Sequence, residues 1–123
     1  MANVINWFEI PAKNFDRACA FYKNVLGGDI HVMDMPNGGK MGMLPGSMTD
    51  NVGGALVHAE GYEPSAKGSV VYLNGGKDLN AFLGRVEKAG GKITQPKMSI
   101  GQNGFIAHFT DTEGNRVAFH SMN

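Results

Sequence analysis

Three side chains in this sequence could do chemistry together. Glu9 stands in NVINWFEI, His58 in NVGGALVHAE and His120 in the closing segment NRVAFHS. One carboxylate and two imidazoles make a recognised ligand set for iron-type metals, and the same groups can act as general acid and base. The strand period of two puts Trp7 on the face of Glu9, Leu56 on that of His58, and Arg116 and Ala118 on that of His120. Each group also has a plainer reading. His120 lies near the C-terminus, where solvent would hold it. His58 precedes the polar stretch AEGYEPSAKG, where a strand end is readily solvated. Glu9 sits beside Trp7 in an apolar strand, so burial would demand a partner. A ligand's cation would serve, and so would Lys97 or Arg116.

The remaining reactive residue types say less. His108 alternates with Ile106 and Thr110 in GFIAHFTD, and both faces of that segment are partly apolar, so its direction stays open. His31 lies in DIHVMDM, an expected edge strand, and reads as a surface residue. Cys19, the single cysteine, stands between Ala18 and Ala20 in an expected helix and reads as a small packed thiol rather than a nucleophile. Eight methionines are many, and five fall between Met33 and Met48. They read as flexible core or as an adaptable apolar wall for a ligand. Trp7, Phe8 and Tyr72 could add flat surfaces. The stretch GGKMGMLPG lacks the pattern of a phosphate loop, and no serine stands in a nucleophile elbow.

The elements that position these residues come in two similar runs. NVINWFEI is rich in strand formers. KNFDRACAFYKNVLGG then changes period, with Phe15, Ala18, Tyr22 and Val25 at helical spacing, Asn14 able to cap the start and Gly27 the end. DIHVMDM, NGGKMGML and NVGGALVHAE follow as strands, with turns at Pro36-Asn37-Gly38-Gly39 and Pro45-Gly46. The second run repeats the order. GSVVYLN is a strand, KDLNAFLGRVEKAGG a helix with Leu79, Phe82, Leu83 and Val86 inward, and KITQPKM, GFIAHFTD and NRVAFHS are strands. The helices end at Gly27-Gly28 and Gly90-Gly91, so the copies are offset by about 63 residues. The expectation is one α+β domain over residues 1–123, built of two βαβββ modules at about 1–60 and 67–123. Each helix covers one sheet face, which leaves the other faces to enclose a central groove under a curved mixed sheet.

Composition narrows the partners. The 123 residues are 42% hydrophobic, with 11 basic and 11 acidic side chains. A neutral chain without a basic stripe argues against nucleic acid and anionic membranes. No apolar run approaches the roughly 20 residues of a membrane-spanning helix, and Glu9, Pro11 and Lys13 break the first apolar stretch, so a cytoplasmic location is expected.

WFEIPAKNFDRACAFYKNVLG, VEKAGGKI and FTDTEGNRVAFHS together resemble, in order and over nearly the whole chain, the vicinal oxygen chelate superfamily. That group includes glyoxalase I, bleomycin-resistance proteins and extradiol dioxygenases. The resemblance implies paired βαβββ modules, a cup-shaped site, frequent dimers and often a divalent metal held on the first, fourth, fifth and eighth strands. Those ligand positions fall here on Trp7, near Leu56, on Ser69 and on Ala118, none of them a good metal ligand. The expected function is therefore binding of a small, largely apolar or aromatic molecule by Trp7, Leu56, His58, Ser69 and Ala118, with no cofactor. The alternative is a glyoxalase-like lyase or isomerase, or a dioxygenase-like enzyme. It would use Glu9 and His120 as acid and base, or a divalent metal on the displaced set Glu9, His58 and His120. A homodimer is expected, because such small sheets leave edges to cover.

Overall fold

The computed structural model describes residues 3–36, 38–47 and 52–123; Asn37, in the first expected turn, and Met48 lie outside the described residues. The chain divides into two compact units, residues 1–64 and 65–123. Each holds a four-stranded mixed sheet, and the two have the same topology.

In the first unit β1 (Trp7–Pro11) leads into α1 (Phe15–Leu26), followed by β2 (His31–Asp34), β3 (Lys40–Met43) and β4 (Gly53–His58). The sheet order is β1-β4-β3-β2, with β1 parallel to β4 and the other pairs antiparallel. The helix begins and ends where its sequence says. Asn14 is extended, and its side chain accepts the Arg17 N–H at 3.1 Å, a cap worth about 1 kcal/mol. Gly27 closes it in the left-handed region at φ 75°, its N–H bonded to the Lys23 carbonyl at 2.9 Å. Phe15, Ala18, Phe21, Tyr22 and Val25 form the buried stripe. A Cβ at Gly42 would touch the Phe15 ring and the Cys19 sulfur, so the row Gly42–Leu56–Ile10 is the face that receives α1.

In the second unit β5 (Val71–Asn74) precedes a short helix, α2 (Asn80–Leu83), then β6 (Lys92–Ser99), a 3₁₀ turn at Gly101–Asn103, β7 (Phe105–Thr110) and β8 (Arg116–Ser121). The order is β5-β8-β7-β6, with β5 parallel to β8. Pro96 falls in β6, which pairs only with β7 and shifts register on both sides of Gln95; an edge strand tolerates the missing N–H.

The expected helix over residues 77–91 is only four residues long. Beyond it the chain continues in turns, with three-residue bonds from Arg85 N to Phe82 O and from Val86 N to Leu83 O. Gly84 is the physical reason, because an interior glycine costs about 1 kcal/mol of helix and the backbone tightens instead. The inward residues hold regardless. Leu79, Leu83 and Val86 are buried, Phe82 stacks on Phe119, and Ser121 accepts the Leu79 N–H at 3.0 Å. The row Leu73–Phe119–Ala107 is thus the helix-covered face. No helix among the described residues is long and apolar enough to cross a membrane.

Candidate functional site

The face turned away from the helix holds Trp7 and Glu9 in the first unit and Ala118 and His120 in the second. In the first unit, pairing runs Glu9–Ala55–Met43–His31, beside Val57–Met41–Met33. Trp7 lies on the same face two residues before Glu9 and is 36% exposed. Glu9 takes neither of the basic partners considered for it. Its carboxylate accepts the Tyr62 hydroxyl at 2.9 Å and the Trp7 indole N–H at 3.4 Å. The bond to Glu9 holds the Tyr62 phenol above its ordinary pKa. Met33, Met41 and Met43 line up on this face, away from α1.

Leu56 and His58 are on the opposite face. Leu56 pairs with Ile10 and Gly42 and is fully buried on the α1 side. The residue opposite Glu9 is Ala55, one position away, and one residue reverses a strand's face. His58, two further along, points to the α1 side as well. Its Nδ1 donates to the Ala12 carbonyl at 2.9 Å, and it borders a polar cavity with Lys13, Asp16 and Lys40 at the start of α1. Glu9 and His58 therefore do not converge, and the displaced set of Glu9, His58 and His120 is not assembled on one face.

In the second unit the central row is Tyr72–Ala118–His108–Gln95, flanked by Asn74–His120–Ile106–Met98 and by Arg116–Thr110. Ala118 is small and fully buried. Over it, from the strands on either side, the Tyr72 hydroxyl and His108 Nε2 meet at 2.9 Å, with the rings edge to face. Arg116 donates its Nε–H to His108 Nδ1 at 3.1 Å. A nitrogen that accepts from a guanidinium carries no proton, so the neutral ring holds its proton on Nε2 and gives it to Tyr72. Ala118 is the gap that permits this bridge.

This trio escaped the sequence reading because its members lie on three different strands. The duplication held a usable signal. A shift of 63 carries Ala118 onto Ala55 and Tyr72 onto Glu9, the two pairs that the sheets form. Ser69 lies before β5 and is exposed. His120 shares the face of Tyr72; its Nε2–H donates to the Asn103 carbonyl at 2.7 Å, and it borders a cavity of about 620 Å³ with Tyr72, Asn74, Ile100 and Ile106. His31 is exposed on β2. Cys19 is half-buried, and burial, then the charge of Asp16, pushes its thiol up to about 11, against use as a nucleophile.

The described side chains on these faces are not grouped around a site for a divalent ion. Among the described residues no three His, Cys, Asp or Glu side chains are grouped to hold one. Glu9 is engaged by Tyr62, and both nitrogens of His108 are engaged by its neighbours.

His108 is held below its ordinary pKa, first by burial and then by the positive charge of Arg116. The unfolded chain takes up this proton near pH 6.5, whereas the folded chain resists until lower pH. Stability is thus fully present above pH 6.5 and is lost as pH falls toward the folded value. Urea midpoints should drop on acidification below 6.5, and His108→Gln should flatten that drop. An unchanged pH slope in the variant would contradict the assignment.

A family model of the Glyoxalase/Bleomycin resistance protein/Dioxygenase superfamily matches residues 4–119. Comparison with curated proteins gives no match. Among solved structures, a glyoxalase/bleomycin resistance protein from Albidiferax ferrireducens superposes with a TM-score of 0.70 at 13% identity, covering 98% of this chain and 100% of that one. The antibiotic-binding protein TnmS3 from a Streptomyces species scores 0.62 at 20% identity, over 100% and 99%. The fosfomycin resistance protein FosX from Listeria monocytogenes scores 0.66 at 11% identity, over 100% and 96%. At these identities the structures speak for the fold, while the family match runs nearly end to end. The chain belongs to the glyoxalase/bleomycin resistance protein/dioxygenase superfamily.

Proposed function

We propose that this protein binds a small, largely apolar or aromatic molecule on the sheet faces turned away from its helices, through side chains alone and without the divalent metal common in its family. The observation that carries this reading is the pair of central rows. One row holds Glu9 and Ala55 and the other Tyr72 and Ala118, with no cluster of metal donors among the described residues, while Trp7, Met41, Met43, Met98 and Ile106 supply apolar surface around them. That one relative is an antibiotic-binding protein agrees with this use of the fold. Elemental analysis of purified protein should find no stoichiometric divalent metal. About one tightly bound ion per chain, removed by chelator with loss of ligand binding, would overturn the reading.

The protein is further proposed to be a homodimer. All four residues of β2 are exposed, with Val32 at 52% and Met33 at 45%, and an apolar edge strand invites a symmetric partner. Light scattering at micromolar concentration should give twice the chain mass of 13.2 kDa. A monomer mass throughout would contradict it.

A further inference from the structure

The second unit contains a cation with nothing to neutralise it. Arg116 spends its Nε–H on His108 and its backbone N–H on the Ser65 carbonyl. Its two terminal guanidinium nitrogens have no hydrogen-bond or ion-pair partner among the described residues. The cavity it borders measures about 570 Å³, and Ala66, Tyr72, Thr94, Gln95, Met98, Ile106, His108 and Thr110 complete its lining. No carboxylate is among them. That volume lies within the usual range of small-molecule sites, roughly 300 to 1,000 Å³.

The hydrogen-bond directions add a second donor. Arg116 forces His108 to accept at Nδ1, so His108 donates from Nε2, and the Tyr72 oxygen accepts. The phenolic proton of Tyr72 is therefore free to be given away, and Tyr72 is 47% exposed. A planar guanidinium and a pre-aimed hydroxyl suit two oxygens that share a negative charge. Met98 and Ile106 suit an apolar body.

We infer that the helix-free face of the second unit binds the carboxylate of a small aromatic or apolar acid, with Arg116 and Tyr72 as its donors. His108 is a positioning residue that fixes the direction of the Tyr72 hydroxyl. This rests on the small-molecule reading above and narrows it to one charge class.

The test titrates benzoate and its neutral counterpart, benzyl alcohol, into the whole protein at millimolar concentration. The backbone amides of Thr94, Ile106 and Arg116 are followed by NMR. Benzoate should move those amides and bind about tenfold tighter than the alcohol, the scale of a charge-assisted hydrogen bond. Arg116→Gln should reduce benzoate to the affinity of the alcohol, and Tyr72→Phe should weaken it severalfold, with amide dispersion confirming that both variants are folded. The nitrogen shifts of the His108 ring should report the proton on Nε2. Equal binding of the two probes would leave the small-molecule reading intact and overturn the carboxylate assignment. So would benzoate binding that Arg116→Gln leaves unchanged, a His108 proton found on Nδ1, or a failure of benzoate to move the three amides.

Discussion

Trp7→Ala should weaken binding of the proposed small-molecule ligand by about 1 to 3 kcal/mol, the loss expected when an aromatic anchor is removed. The ring is 36% exposed, and its only polar tie among the described residues is the long contact to Glu9. At 3.4 Å that bond is weak, so the indole is free to stack on a ligand. Because it is the only tryptophan, intrinsic fluorescence should change when ligand is added. Much of the residue is still covered, so thermal unfolding of the variant is measured beside its affinity. A bound ligand that neither alters this fluorescence nor loses affinity in the folded variant would remove Trp7 from the site.

Phe119→Ala should have the reverse profile. Phe119 is fully buried and stacks on Phe109 at 5.2 Å and on Phe82 at 5.5 Å between centroids. Removing it deletes the ring that joins β8, β7 and α2, at a cost of about 3 to 5 kcal/mol. That is a large part of the roughly 5 to 15 kcal/mol that holds a domain folded. Denaturant midpoints measure it, and a loss below about 1 kcal/mol would mean that the second core is assembled differently. The neighbours Ala118 and His120 point to the other face of the same strand. Substitution of His120, which borders a cavity, should change binding more than stability.

The contrast between these adjacent residues shows what the sequence makes legible. Local signals read true: Asn14 and Gly27 bound α1, and the glycine pairs 63 residues apart disclosed the duplicated βαβββ order, although α2 itself stops at Leu83. Signals that depend on tertiary competition did not. The apolar spacing of Leu79, Leu83 and Val86 is helical, yet Gly84 lets the backbone tighten while the same side chains stay inward. Register was harder still. Leu56 and Ala55 are one residue apart, and strand alternation cannot tell which faces the helix; only the pairing of Glu9 with Ala55 decides it. Glu9 found its partner in Tyr62, across 53 positions. Ala118, read locally, is a missing ligand, whereas in the sheet it is the floor beneath the bridge from Tyr72 to His108. No window of sequence contains that bridge, because β5, β8 and β7 each supply one residue to it.

The most direct test of the central claim is a crystal structure with bound ligand, recorded with anomalous data at the absorption edges of the common divalent metals. The account predicts a ligand lying on a helix-free sheet face, in contact with Trp7 or with Tyr72 and Arg116, and no anomalous peak within bonding distance of it. A metal ion between the ligand and the protein's side chains, or a ligand seated on the α1 side beside His58, would contradict it.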